Sequence, residues 1–427
     1  MRRLWEGFYT AVFIPLIWLV LRSLGPVNRK VRRGIRGRRS LFAELAARMG
    51  AVRPGRRVWF HASSMGEFEQ AKPIIAELKR RSPETRIVAS FFSPSGYDHS
   101  LKYPLADVIT YLPFDTLPGV RKFLDLVRPD AAVMVRYDVW PNMIWELERR
   151  KVPTLIANAT MRPTSARFLP ALRNFHHHLY DSISEILTVS ERDVEAFQGF
   201  GLEKAHVEAI GDTRFDQVCS RSAAARKHHL LPEGVTRGTK VIVIGSSWPE
   251  DEEVIIPAFL ALRQQVPQVL MVIVPHEPTL EHLEELERRL NGSVETLRFS
   301  ALNEYRGEPV IIVDSIGILL MLYAAADVAY VGGSFRQGIH NVLEAAVYGV
   351  PVLFGPRHKN SQEPGQLVER GGAFVVEGSE DLAAIWRGLL TDEKSRLKAG
   401  TIAAEFVSEH TGATERFLEH LQKYLRA

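Results

Sequence analysis

VAYVGGSFRQGIHNVLEAA, Val328–Ala346, carries the pattern on which the fold turns. Its first four residues are all apolar, as a strand covered on both faces of a parallel sheet must be. Gly332, Gly333 and Gly338 then loosen a loop, and His340 and Asn341 stand where they can cap the helix that follows. A buried strand, a glycine loop and a helix form part of a βαβ unit, and strands of the same kind recur on either side. They are VIVIG (Val241–Gly245), VLMVIV (Val269–Val274), VIIV (Val310–Val313) and VPVLFG (Val350–Gly355). Helices are expected over Glu277–Arg289 and Leu343–Tyr348. The alternation predicts a parallel sheet covered by helices.

A similar series precedes it. Strands are expected at Arg57–His61, Arg86–Phe92, Val108–Tyr111, Ala131–Val135, Thr154–Ala157 and Glu185–Val189, with helices between them that include Glu67–Arg81 and Pro118–Val127. The chain of 427 residues therefore reads as two α/β halves, 40–219 and 239–410, joined by a polar linker at 220–238. Ligands of such sheets sit at the carboxyl ends of the strands, and two consecutive sheets suggest a cleft between domains. A single cysteine, Cys219, excludes a disulfide framework and any multi-cysteine metal site.

Residues 1–39 differ from the rest. GFYTAVFIPLIWLVL, Gly7–Leu21, is uncharged and largely apolar. Eight basic residues without an acid follow between Arg22 and Arg39, and they exceed the whole chain's net charge of +4. The basicity is therefore local, which argues against general nucleic-acid binding. A membrane anchor with a cytoplasmic basic collar beside anionic lipid is the preferred reading. A buried core helix ranks second, and a cleaved signal peptide ranks last because no small-residue cleavage site follows. On the preferred reading, a chain starting near Ser40 should fold without the segment.

Several residues are placed for chemistry. HASSMGEFEQAKP (His61–Pro73) follows the first strand, where Ser64 and Gly66 allow a tight turn and Glu67 opens a helix. Glu67 is either a favourable first-turn carboxylate or a general base. The helix dipole lowers its pKa, so a base here must be tuned upward by burial or rely on position. The Gly332–Ala346 segment is either a phosphate site at a helix N-terminus or an ordinary α/β turn, and Glu344 could hold a ribose diol. Arg214 in GDTRFDQV and His276 and Glu277 in VPHEP are either cleft groups or solvated loop charges. Neither a Walker sequence nor GxGxxG is present, and neither a DxD-like acidic cluster nor the run His176–His178 recommends a metal site.

Read together, HASSMGE, FFSPSGYD, YDVWPN, IANATM, GDTRFD, GSSWPEDEE, DSIGILLMLYAAADVAYVGGS, GIHNVLEAA and GVPVLFGPRHKN make the chain resemble the Kdo transferases of lipopolysaccharide synthesis. Those enzymes move 3-deoxy-D-manno-oct-2-ulosonic acid (Kdo) from CMP-Kdo onto a lipid A precursor. The resemblance implies an α/β GT-B fold of two Rossmann-like domains with an active site between them and an N-terminal membrane-anchor helix. The first domain would bind the acceptor and the second the CMP-sugar, with a C-terminal helix in 411–427 packing back on the first. It also implies inverting, metal-independent transfer without a cofactor, at the cytoplasmic face of the inner membrane.

By the same resemblance, Glu67 is the general base on the acceptor hydroxyl, with Ser64 and Gly66 beside it. Arg214 stands where many relatives have a transition-state lysine. Ile316, Gly317 and Ile318, and the stretch Asn341, Val342, Leu343 and Glu344, would hold CMP, with Gly333, Ser334, His276 and Glu277 on the donor side. Two positions depart from the family pattern: Arg136 replaces an acidic transition-state stabiliser in RYDVWPN, and PHEP lacks an arginine found in PRHP. Another GT-B transferase using a UDP-sugar, or an inactive membrane-tethered sugar-nucleotide binder, are the alternatives.

Overall fold

Seven parallel strands, in the order β3-β2-β1-β4-β5-β6-β7, form the first sheet of the computed structural model, which describes residues 1–336 and 338–425. They are β1 (Arg57–Ala62), β2 (Arg86–Phe91), β3 (Val108–Tyr111), β4 (Ala131–Val135), β5 (Thr154–Ala159), β6 (Glu185–Thr188) and β7 (His206–Ala209). Strands β2 and β3 lie to one side of β1 and β4–β7 to the other, so the chain leaves β1 and β4 in opposite directions. That divergence opens a crevice at the carboxyl ends of these two strands.

The second sheet also has seven parallel strands, ordered β10-β11-β9-β8-β12-β13-β14. Its strands are β8 (Lys240–Ser247), β9 (Val269–Pro275), β10 (Thr296–Arg298), β11 (Val310–Ile312), β12 (Val328–Val331), β13 (Val352–Phe354) and β14 (Ala373–Val375). Here the divergence falls between β8 and β12. Strands β7, β10 and β14 go beyond the sequence expectation. Each is only three or four residues long, and none is a continuous buried run, so hydropathy alone does not mark them.

The chain forms two units, Met1–Gln217 with Thr411–Ala427, and Val218–His410. This differs from the expected boundaries in two ways. The helix Thr213–Ala225 runs through the change of unit at Val218, so the expected linker 220–238 begins inside a helix. Residues 1–39 belong to the first unit rather than standing apart from it.

Both faces of the first sheet are buried, as parallel strands require. Trp59, Phe123 and Ile144 fill one face. Phe60, Phe68 and Ile74 fill the other, together with Phe417, Leu418 and Leu421 of the helix Ala413–Leu425. Asp216 receives the backbone N–H groups of Gly412 and Thr414 at 2.6 and 2.7 Å and so fixes where that helix starts. Met271, Phe259, Leu286 and Trp386 anchor the core of the second unit.

The N-terminal segment is helical over Arg2–Leu24, with a π turn at Tyr9–Phe13. It is long and apolar enough to cross a membrane, yet one face is docked. Tyr9 and Ile14 pack with Trp145 and Phe175. The Tyr9 hydroxyl donates to buried Asp115 at 3.0 Å, and Trp5 Nε1 donates to Asn174 at 2.8 Å. Asp115, which also accepts from the backbone of Asn142 and Met143, is pushed up to about 7 by burial despite these bonds. Removing the segment would strip the hydrogen-bond donor Tyr9 from a buried carboxyl and uncover Trp145, which argues against its being dispensable for folding. Leu4, Phe8, Val12, Leu16, Leu19 and Val20 remain exposed on the rest of the helix.

The basic collar divides as well. Arg38 is partly buried, donating to the carbonyls of Leu112 and Phe92 at 2.7 Å each, and desolvation pulls its guanidinium down to about 10. Arg29, Arg32, Arg33 and Arg36 instead line a cavity of about 640 Å³ with Tyr97 and Tyr111.

Candidate active site

In the first unit the chain turns sharply after β1. Ser64 caps the helix Met65–Arg81 by accepting from Glu67 N, and Glu67 Oε2 accepts from the N–H groups of Ser63 and Ser64 at 2.6 and 3.2 Å. This reciprocal capping box satisfies helix-end donors that would otherwise be orphaned. The first-turn role is thus real, but it occupies one oxygen, since both bonds end on Oε2. Glu67 is 8% exposed. Burial and the neighbouring Asp138 carboxylate raise its pKa, against the lowering by the two amides and His61. Gly66 has no atom within 4 Å of where a Cβ would stand, so the helix mouth is open beside Glu67.

Across the β1–β4 divergence, Arg136 and Asp138 follow β4. Fully buried His61, on β1, places Nε2 2.9 Å from Asp138 Oδ2 and Nδ1 2.9 Å from Ser90 Oγ. Burial raises the Asp138 carboxyl, but the hydrogen bond and charge of His61 outweigh it and hold the group below its ordinary range. The result is an ionised carboxylate that keeps its neighbour Glu67 basic. Arg136 sits in the left-handed region at φ 62°, and its Nε is buried with no hydrogen-bond partner among the described residues. A strained cation with an unpaired donor is what an anion site needs.

Arg214 is not a loose loop charge. Its Nε and terminal nitrogen reach Asp212 Oδ2 at 2.8 and 2.6 Å. Asp212 in turn accepts from Asn158, whose amide also donates to Gln70 and Thr213. Asn158 takes φ 52° at a register shift between β5 and β6, and this turns its side chain into the network.

The second unit repeats the plan at the divergence of β8 and β12. Asp251, fully buried, accepts from Trp248 N and Gly333 N at 3.0 and 2.7 Å and from the Tyr330 hydroxyl at 3.1 Å, tying the two loops together. Gly332 lies against the Ser246 backbone, where a Cβ would approach within 2.3 Å, and Gly333 has φ 92°. Only glycine fits both.

Exposed His276 stacks between Trp248 and His340, with ring centroids 4.6 and 4.5 Å away. Trp248 Nε1 lies 2.9 Å from His340 Nε2. Burial, with His276 beside it, pushes His340 down to about 4, so the ring is neutral and accepts that bond. His340 is therefore part of an aromatic stack rather than a helix cap. Asn341 caps instead, accepting from Leu343 N at 3.1 Å, and the helix closes after Leu343–Ala346, short of Tyr348.

The remaining expected donor residues separate by burial. Ile316 is 86% exposed and Gly317 is in the left-handed region, so Ile316–Ile318 presents an apolar edge after β11. Ser334, Val342 and Leu343 have buried side chains; Ser334 Oγ accepts from Gly355 N at 2.6 Å. These three support the loop, and only their backbone could meet a ligand. Glu344 is partly exposed and held 3.3 Å from Arg221. Glu277 is exposed.

The profile of the 3-deoxy-D-manno-octulosonic-acid transferase (kdotransferase) family matches residues 40–217. Similar proteins include the 3-deoxy-D-manno-octulosonic acid transferases of Haemophilus influenzae, 27% identical over 99% of both chains, and of Aquifex aeolicus, 29% identical over 86% of this chain and 94% of that one. The chain is similar to Kdo transferases along most of its length. Among solved structures it is similar to UDP-GlcNAc 2-epimerase from Neisseria meningitidis, with a TM-score of 0.61 at 16% identity, covering 86% of this chain and 100% of that one. That likeness concerns the fold, which is GT-B.

Sequence reasoning assigned no role to His61, Asp138, Trp248, Asp251 or Asn158. Asp251 left one signal, because an acid two residues after the Pro249 that opens a helix can reach back to the free backbone N–H at the helix start. One grouping of metal-ligating residue types was not singled out from the sequence. Among the described residues, Glu185, His206 and His420 bring ligand atoms within 4.8 Å of one another from three distant stretches.

Proposed function

We propose that this glycosyltransferase moves Kdo from CMP-Kdo to the lipid A precursor lipid IVA, with inversion and without a metal. Glu67 carries the reading. It is a buried carboxyl with a raised pKa, and its Oε1 is not used by the capping box. It lies beside the open Gly66 face at the divergence of β1 and β4. Oε1 takes the proton of the acceptor hydroxyl as that oxygen bonds to the anomeric carbon. The bond from that carbon to the phosphate oxygen breaks, and CMP leaves with the electron pair. The sugar passes through an oxocarbenium-like state, and Arg136 and Arg214 offset the charge gathering on phosphate and carboxylate. Burial and Asp138, which His61 holds in place, keep Glu67 basic.

On the donor side, the loop Gly332–Gly333 offers backbone amides to phosphate and Glu344 accepts from the ribose hydroxyls. The Trp248–His276–His340 stack and the Ile316 edge give the nucleoside flat and apolar surfaces. Of the expected pair His276 and Glu277, the donor role falls to His276, because Glu277 is an exposed acid that disfavours a phosphate close by.

The acceptor side suits a phosphorylated lipid. A cavity of about 580 Å³, lined by Trp5, Tyr9, Tyr137, Trp140 and Phe175 and reaching Asp138, has the apolar walls acyl chains require. The arginine-lined cavity suits the lipid's phosphates or anionic headgroups. The docked N-terminal helix, with its other face apolar and exposed, lies in the membrane interface at the cytoplasmic side, with no nucleic acid as partner. Incubating the full chain with CMP-Kdo and lipid IVA, with UDP-sugars as competing donors, tests the assignment by mass spectrometry of the lipid.

A further inference from the structure

Glu185 opens β6 and His206 opens β7, and the two are direct partners in register. Glu208 stands two residues beyond His206 and shares its face. The helix Ala413–Leu425 lays His420 over that face. His420 Nδ1 is 3.0 Å from Glu185 Oε2, and His420 Nε2 is 3.4 Å from Glu208 Oε2. His206 Nε2 is 2.9 Å from Glu208 Oε2 and 4.0 Å from Glu185 Oε2. Two further groups touch the cluster: the Tyr424 hydroxyl donates to Glu185 Oε1 at 2.9 Å, and Lys423 Nζ lies 3.2 Å from His420 Nδ1.

We propose that Glu185, His206 and His420, with Glu208 beside them on the open side, form a zinc-class divalent metal site that pins the C-terminal helix to the first sheet. Two imidazoles and a carboxylate are a donor set zinc accepts, with water completing four-coordination. With metal–ligand bonds near 2.0 Å, a tetrahedron has edges of about 3.3 Å. Glu185 Oε2 lies 3.0 Å from His420 Nδ1 and 4.0 Å from His206 Nε2, on either side of that value, and the three ligand atoms all lie within 4.8 Å of one another. Glu185 and His420 are buried, whereas His206 and Glu208 are about half exposed, so the site has a rigid floor and an open side for the ion to enter. The Tyr424 bond to the second oxygen of Glu185 is the kind of outer contact that orients a ligating carboxylate. Lys423, on a flexible stem, swings away when the ion binds.

The cluster lies at the amino-terminal edge of the sheet, opposite the edge that carries Glu67. Its role is structural and independent of the transfer reaction. The helix it holds is the segment that returns to the first unit after residue 410, so a staple there secures the long chain closure.

Metal-free full-length protein is titrated with Zn²⁺ against a chromophoric chelator, and with Co²⁺ by visible absorption. One ion per chain, visible bands of tetrahedral cobalt, and a rise in the midpoint of thermal unfolding on adding Zn²⁺ are expected. His206→Ala, at a half-exposed position that the fold tolerates, should weaken binding about tenfold or more while leaving the metal-free midpoint near wild type. Glu208→Gln should act in the same direction. Absence of stoichiometric binding, or binding unchanged in both variants, overturns the proposal.

Discussion

Replacing Glu67 by Gln removes one charge and leaves the shape. Glutamine keeps a carbonyl oxygen able to accept from the Ser63 and Ser64 amides, so the capping box that starts Met65–Arg81 survives. What disappears is the proton acceptor. Loss of a general base lowers the rate by about 10²–10⁴, or about 3–5 kcal/mol of barrier at ~1.4 kcal/mol per factor of ten. Stability should move the other way. A carboxyl whose pKa is raised on folding contributes stability below its unfolded value, and that contribution is lost as pH rises through the raised folded value. At neutral pH ionised Glu67 is therefore a cost, and Glu67→Gln should melt at the same temperature as the parent or slightly above it. Glu67→Ala is the control: it leaves two backbone donors without an acceptor, costs about 1–2 kcal/mol, and should lower both rate and melting temperature. Initial rates and thermal melts of the three proteins side by side form the assay. Near-parental turnover by Glu67→Gln would refute the base assignment, and a melting temperature as low as that of Glu67→Ala would refute the stated role of the capping box.

The other expectations follow from the same neighbourhoods. Asp138→Asn removes the negative neighbour of Glu67, so the acid limb of the kcat/KM profile should shift to lower pH; an unmoved limb would mean the carboxylates are not coupled. Tyr9→Phe withdraws a hydrogen bond from buried Asp115 and should destabilise the full chain by about 1–3 kcal/mol in denaturant titration. Glu344→Ala should weaken CMP binding by about 1–3 kcal/mol in calorimetry with little change in fold. Leu16→Asn combined with Leu19→Asn, on the exposed face of the N-terminal helix, should reduce sedimentation with anionic liposomes without lowering the melting temperature.

Much of the architecture was legible because parallel strands buried on both faces read as continuous apolar runs. VIVIG, VLMVIV and VAYV each lie inside an observed strand. The short edge strands β7 and β10 escaped notice because an edge is covered less and its residues need not be apolar. The turn at Glu67 was visible from Ser64, Gly66 and the helical run after them. Its raised pKa was not, since that depends first on burial in the folded unit and then on Asp138 arriving from the far side of the sheet divergence. The same limit hid the His61–Asp138 pair, the Asp251 tie to Gly333 and the Glu185–His206–His420 cluster, all of which join residues distant along the chain. The N-terminal helix was legible as apolar. That Tyr9 faces a buried carboxyl was not, and this is what turns a detachable anchor into part of the first unit.

The central claim is the reaction, and its most direct measurement is turnover. Full-length protein, CMP-Kdo and lipid IVA are mixed in detergent with EDTA present, and CMP release is followed alongside the mass of the lipid. The account predicts that CMP appears together with lipid IVA carrying added Kdo, at a rate that chelation leaves unchanged. Unmodified lipid, transfer from a UDP-sugar instead, or activity restored only by added Mg²⁺ would contradict it.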